Sequence, residues 1–176
     1  MTVRLISYSQ PTEELQDEGI ENAQDLIAFC ARVSNPSNQY NTETSDKLIN
    51  YLIKHAHWSP LEMTNACLEI NTTRDIARQI LRHRSFSFQE FSQRYADPTK
   101  DLNFTTREAR FQDTKNRQNS IDFELANTEH REISKIWAEK QQAVIAASSD
   151  AYNWAVSNGI AKEQARAVLP EGLMES

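Results

Sequence analysis

Between Arg82 and Arg94 the chain places three arginines, one histidine, three serines, Gln89 and Glu90 around Phe86, Phe88 and Phe91. A guanidinium presents a planar fork of donors that matches phosphate and carboxylate oxygens two at a time. Arg82 and Arg84 therefore suit a monophosphate or a pyrophosphate, and His83 adds a donor beside them. The usual alternative is excluded, because the chain has only Gly19, Gly159 and Gly172 and so contains neither a GxGxxG turn nor a GxxxxGK[ST] loop. A nucleotide here has to be held by side chains and helix ends.

Other residues in or near this run have two readings each. Glu90 is either the counter-ion of the cations around it or an acceptor that orients a ribose hydroxyl or a ring N–H. Ser92 lacks a GxSxG setting and a histidine at a diagnostic spacing, which makes it a hydrogen-bonding residue beside Arg94 rather than an activated nucleophile. His55 and His57 either satisfy backbone groups after a helix end or take part in binding, and no third ligand marks them as a metal pair. Cys30 and Cys67 are far apart, form no CxxC pair, and read as two buried thiols in apolar helix and strand patterns.

The elements that position these residues follow from periodicity. Val3, Leu5 and Ile6 suggest an edge strand, and residues 25–33 show helical spacing that Ser34-Asn35-Pro36 ends. Thr44 or Ser45 can cap a second helix that runs to His55 and stops before Trp58-Ser59-Pro60. Residues 64–71 alternate with Ala66, Leu68 and Ile70 on one side, the pattern of a half-buried antiparallel strand. Thr72 or Thr73 then caps a helix that turns Ile76, Ala77, Ile80 and Leu81 inward and carries Arg74, Arg78, Gln79 and Arg82 toward one side. Residues 97–127 read as a long connection with a second strand near Leu102 to Thr105. A long helix from Thr128 to Val156 is closed by Gly159, and a short one from Ala161 to Leu169 is stopped by Pro170.

The 176 residues fit one domain, expected to span the whole chain, 1–176. The net charge of −6 argues against nucleic acid as the partner, although Arg74 to Arg94 with its interleaved phenylalanines has the residue types for single-strand stacking. No run reaches the roughly 18 apolar residues of a membrane helix. Met1 to Gln10 lacks the order of a signal peptide, so a soluble cytoplasmic protein is expected.

The run Arg82-His83-Arg84-x-x-Ser87-x-x-x-x-Ser92-x-Arg94-Tyr95 resembles the RHRxxSxxxxSxR signature of the flavin-dependent thymidylate synthases. Ala31-Arg32-Val33-Ser34, His55-x-His57-x-Ser59-Pro60-x-Glu62, Ala77-Arg78-Gln79 and Ala165-Arg166-x-x-Leu169-Pro170 agree with the same family in the same order. The resemblance implies an α+β fold of the thymidylate synthase-complementing type, with a small, mostly antiparallel sheet packed by helices. It also implies a homotetramer with active sites between subunits, in which FAD draws reducing equivalents from NADPH and methylenetetrahydrofolate supplies the carbon that turns dUMP into dTMP.

Carried over by position, Ser34, Ser59, Arg82, His83, Arg84 and Glu90 would contact FAD. His57 and Glu62 would lie beside the flavin, His57 near the folate. Gln79, Arg82, Glu90, Phe91, Ser92, Gln93, Arg94 and Arg166 would surround dUMP, with Ser92, Arg94 and Arg166 as the catalytic-type residues. No cysteine nucleophile and no metal is implied. Family members continue beyond the ARxxLP segment into a strand and helix with a later catalytic arginine, so the chain is expected to be C-terminally short. It is then either an enzyme of this family or a non-catalytic nucleotide-binding or partner-completed relative.

Overall fold

The computed structural model describes residues 1–176, whose contacts gather into two units, Val3–Ile70 on one side and Met1–Thr2 with Asn71–Ser176 on the other. In the first, β1 (Thr2–Tyr8) pairs with β2 (Ala66–Asn71) as a two-stranded ribbon. The Ser9 N–H donates to Asn65 O at 2.9 Å and Arg4 pairs with Glu69, contacts that run in opposite senses along the strands as an antiparallel pair requires. The alternation in β2 is that of a strand, but the expected half-burial is not found: Leu68 is 51% exposed. A two-stranded ribbon has no second layer to cover its apolar face. The same openness exposes Cys67, expected to be buried, while Cys30 is half-buried and burial pushes its thiol up.

Three helices complete this unit: α1 (Glu13–Asp17), which periodicity did not reveal, α2 (Ala23–Ala31) and α3 (Ser45–Lys54). Asn22 caps α2 by accepting the Asp25 N–H at 3.0 Å, and α2 ends two residues earlier than its apolar spacing suggests. Ile20, Ile27, Ala28 and Leu52 are the buried apolar residues of this unit, and α2 packs against α3. A polar tie crosses the same contact, the Ser45 hydroxyl donating to Asp25 at 2.7 Å. Thr44 occupies the N-cap position of α3 as expected, yet its hydroxyl accepts from Arg32 Nη2 at 2.8 Å and makes no cap bond.

The second unit holds α4 (Arg74–Ile80), α5 (Pro98–Asp101), a ribbon of β3 (Arg110–Gln112) and β4 (Ser120–Asp122), the 30-residue α6 (Thr128–Ser157) and α7 (Lys162–Ala165). Asn127 caps α6 through the N–H groups of Glu129 and His130, and Gly159, with φ +80°, closes it. The apolar core is Tyr152, Ala155, Ala165, Leu169 and Met174, with Leu102 and Phe104 against it. Residues 102–105 are extended, as expected, but only as single bridges to the 173–175 segment, Phe104 opposite Met174. The actual second ribbon lies in what reads as loop. Asp113 accepts the N–H groups of Lys115 and Asn116 to form its turn, and Phe111, Phe123 and His130 cluster at its base with ring centroids 4.1 to 5.1 Å apart.

The fold class is α+β. Its strands form two separate antiparallel ribbons rather than one sheet. No helix is long and apolar enough to cross a membrane.

Candidate functional site

Helix α4 is anchored at its start. The Arg74 N–H donates to Met174 O at 2.9 Å, and Thr73 and Glu175 face each other in a bridge. The strongest anchor is Arg107. Its Nη2 donates to both oxygens of Asp75 at 2.8 and 3.0 Å and to the Thr73 hydroxyl, and its Nε donates to Gly172 O at 3.1 Å. Gln141 of α6, almost fully buried, accepts the Arg107 N–H at 2.6 Å and returns an N–H to Arg107 O at 3.0 Å. Burial by itself would raise the pKa of Asp75. The Thr73 hydrogen bond, the Arg107 charge and the Ile76 N–H outweigh it and hold the carboxyl below the ordinary aspartate value.

The chain leaves α4 through a turn in which the N–H groups of Arg82 and His83 donate to Gln79 O and Ile80 O. Arg82 Nη1 also donates to the Gln79 side-chain oxygen at 3.3 Å, so two of the expected nucleotide contacts already touch each other. Arg82, His83 and Arg84 are exposed, and neither arginine has a carboxylate within ion-pair distance. The His83 ring stacks on Phe86 at 3.8 Å with an 11° interplanar angle, and Phe88 meets Phe86 edge-on. Cations held free of counter-ions beside a flat ring pair form a surface for an anion attached to an aromatic system.

The rest of the run folds back toward the C-terminal segment. Glu90 lies 3.6 Å from Arg74 Nη1 and accepts from the Ser176 hydroxyl at 3.4 Å, and buried Gln93 donates to the Met174 sulfur at 3.1 Å. Phe91 and Ser92 are half-buried, and the Ser92 carbonyl accepts the N–H groups of Tyr95 and Ala96 at 3.2 Å, which makes the turn that presents Arg94. Arg94 is exposed, its guanidinium carbon 5.7 Å from the Tyr95 ring centroid. Arg166 follows α7 and engages Glu163, through the backbone carbonyl at 3.3 Å and the carboxylate at 3.9 Å.

Arg78 and Arg82 are exposed as the sequence pattern suggests, but Arg74 is not part of a shared donor face. Its side chain is only 7% exposed, and Arg78 is taken up by Glu171.

In the other unit, Ser34 lines a cleft of about 510 Å³ with Arg32, Asn35, Asn38, Lys47 and Tyr51. Arg32 does not face a ligand there: its guanidinium is spent on Asn41 O and Thr44. After α3 the His57 main-chain N–H donates to Leu52 O at 2.9 Å, a bond that closes the helix without using either imidazole. The rings of Tyr51, His55 and His57 gather within 4.2 to 6.2 Å of one another. Between the histidines Ala56 sits at φ +55°, a left-handed conformation that costs a non-glycine residue about 1–2 kcal/mol. Glu62 and Ser59 share a short turn, the Glu62 N–H donating to Ser59 O, and both side chains are exposed.

Over residues 15–176 the chain matches the family model of the thymidylate synthase complementing proteins. The chain belongs to that family.

Relatives in it include a probable flavin-dependent thymidylate synthase of Paramecium bursaria Chlorella virus 1, 48% identical over 170 residues, and the flavin-dependent thymidylate synthase of Synechocystis sp., 47% identical over 171. Each match covers 97% of this chain and 74% of the relative. The fold is shared with a UMP/dUMP methylase, PolB from Streptomyces cacaoi, solved with 5-bromo-dUMP. That likeness has a TM-score of 0.71 at 22% identity, and covers 99% of this chain and 69% of that one.

Within the family signature the sequence pointed to the exposed cations, but not to what holds them. Arg107, Asp75 and Gln141 carry no local pattern, since they are brought together from three separate segments. Ala56 was equally silent, because nothing in an alanine announces a positive φ.

Proposed function

We propose that this protein is a flavin-dependent thymidylate synthase, converting dUMP to dTMP with methylenetetrahydrofolate as carbon donor and NADPH as reductant. The observation that carries the reading is the pair of exposed guanidiniums, Arg82 and Arg84, without carboxylate partners, in a chain of this family. An unpaired, solvent-facing arginine pair next to His83 fits the diphosphate of FAD in charge, in donor number and in the flat ring surface beside it. We assign Arg82, His83, Arg84, Glu90, Ser34 and Ser59 to the flavin, with His57 and Glu62 near its ring and His57 toward the folate. FAD, when bound, supplies the hydride-transfer chemistry, with electrons drawn from NADPH.

The protein's own residues then bind and polarise the nucleotide. Gln79, Arg82, Glu90, Phe91, Ser92, Gln93, Arg94 and Arg166 surround dUMP in this reading. The exposed Arg94 and the half-buried Arg166 place positive charge against the pyrimidine as it becomes electron-rich, an electrostatic effect worth several kcal/mol when the donors are held in place beforehand. Ser92, in the turn that presents Arg94, donates a hydrogen bond, and Glu90 accepts one from the nucleotide.

We read the whole chain as one functional domain, since the family match runs without a break through both units. A homotetramer is the assembly we propose, supported by apolar side chains left open to solvent on β1, β2 and α6, among them Val3, Leu5, Leu68 and Trp154. A cytoplasmic setting accords with the two unpaired cysteines.

The test is retention of FAD and formation of dTMP from dUMP, methylenetetrahydrofolate and NADPH, followed by chromatography of the nucleotides. Substituting Arg84→Ala is expected to weaken FAD binding about ten- to hundredfold, the loss of one charge-assisted contact of roughly 1.5–3 kcal/mol. If the protein binds FAD and dUMP but makes no dTMP, the non-catalytic reading replaces this one.

A further inference from the structure

We propose that Arg74 is a positioning residue for the nucleotide: it fixes the Glu90 carboxylate so that one carboxylate oxygen stays free for a donor of the ligand. The inference rests on the assignment of Glu90 to dUMP above and adds a residue that lies outside the signature.

Arg74 is the most deeply buried cation in the part of the chain that carries the RHR run, with 7% of its side chain exposed. Burying a guanidinium costs several kcal/mol unless partners replace its water. Here its Nε and Nη1 have no hydrogen-bond partner in the protein. Two carboxylates are near, Glu90 Oε1 at 3.6 Å and Glu171 Oε1 at 3.8 Å. Both are within ion-pair range but longer than the 2.7–2.9 Å of a charge-assisted hydrogen bond.

The two carboxylates are not equivalent. Glu171 is at the surface and already engages Arg78, which leaves Glu90 as the group Arg74 acts on. On Glu90 both neighbours, the Arg74 guanidinium and the Ser176 hydroxyl, approach the same oxygen, Oε1. Oε2 is thereby left as an acceptor, on a side chain that is 29% exposed and open to a ligand.

Arg74 is rigidly placed for this task. It opens α4, its N–H is tied to Met174 O, and Met174 is itself fully buried and held at its sulfur by Gln93. Arg74 stands at the opposite end of α4 from Arg82, which lies in the turn after Ile80. It therefore acts through Glu90 and not as a member of the exposed cluster.

The experiment is a double-mutant cycle read as the dissociation constant for dUMP. Titration calorimetry would be run on the FAD-loaded wild type, Arg74→Met, Glu90→Gln and the double variant, with thermal melts to confirm folding. Arg74→Met is expected to weaken dUMP binding about tenfold, a coupling typical of contacting residues. The same change in the Glu90→Gln background should cost less than about twofold. Arg74→Lys should recover part of the loss, since it restores charge without the fork. An equal penalty in both backgrounds, or none in either, overturns the proposal, because a merely structural arginine would not depend on the Glu90 charge. Should Arg74→Met fail to fold, the cycle of Arg74→Lys with Glu90→Gln gives the same contrast. A folded wild type that binds no dUMP instead removes the functional reading itself.

Discussion

Replacing Gln141 by leucine tests whether the anchor of α4 is as dependent on one buried amide as the geometry indicates. Gln141 is 2% exposed and makes two reciprocal bonds with the Arg107 backbone, at 2.6 and 3.0 Å. Leucine fills a similar volume, so little of the effect comes from a cavity. What is lost is the partner of one N–H and one C=O, each costing about 1–3 kcal/mol when left unsatisfied in the interior. Both groups are only part-buried, which places the total at the lower end, about 2–4 kcal/mol. For a chain of this size each kcal/mol moves the midpoint by about 2–4 °C, so Tm should fall by roughly 4–16 °C. The assay is a thermal melt at one fixed protein concentration, since any assembly makes Tm concentration-dependent. Because the anchor holds the start of the helix that carries Gln79 and leads into Arg82, dUMP affinity should fall in the variant at temperatures where it remains folded. A Tm within about 2 °C of wild type, with unchanged dUMP binding, would refute the reasoning.

Three further outcomes follow from the structure. Asp75 has its pKa held below the ordinary value in the folded state, so its contribution to stability is present at neutral pH and is lost as the pH falls below the aspartate range. Asp75→Asn should flatten that acid limb in a pH series of melts and lower stability at pH 7, whereas an unchanged limb would remove the argument. Ala56→Gly relieves a positive φ of 55° at the cost of a more flexible unfolded chain, so a change between zero and about 1 kcal/mol of stabilisation is expected by denaturant titration. Asn127→Ala removes the side-chain cap on two N–H groups of α6 and should destabilise by about 1 kcal/mol in the same titration.

The parts of this fold that sequence makes legible are those where one local pattern decides the outcome. The apolar spacing of Leu48, Leu52 and their neighbours specified α3, and Gly159 marked the end of α6, whereas α7 stops at Ala165 and passes into a 3-10 turn over Arg166–Val168 before Pro170. The alternation of residues 64–71 identified β2 correctly but mistook its burial, since alternation reports a face that wants cover and not whether a cover is present. The β3–β4 ribbon escaped because its strands are three residues each and its register depends on the Asp113 turn rather than on apolar periodicity.

The candidate site divides the same way. Arg82, His83 and Arg84 were visible because an exposed cluster of cations is a local fact of sequence. Arg74 looked like their equivalent by its four-residue spacing, yet it is buried. Helical spacing fixes relative angle only, and the tertiary contacts of the 90s and 170s segments decided which arginine would be covered.

The most direct test of the central claim is the anaerobic reduction of the FAD-loaded protein by NADPH, followed by addition of dUMP and methylenetetrahydrofolate and quantification of dTMP. Flavin retention and stoichiometric dTMP are expected, both reduced in Arg84→Ala at limiting FAD in line with about ten- to hundredfold weaker binding. A folded protein that holds no flavin, or that makes dTMP equally well without Arg84, would contradict it.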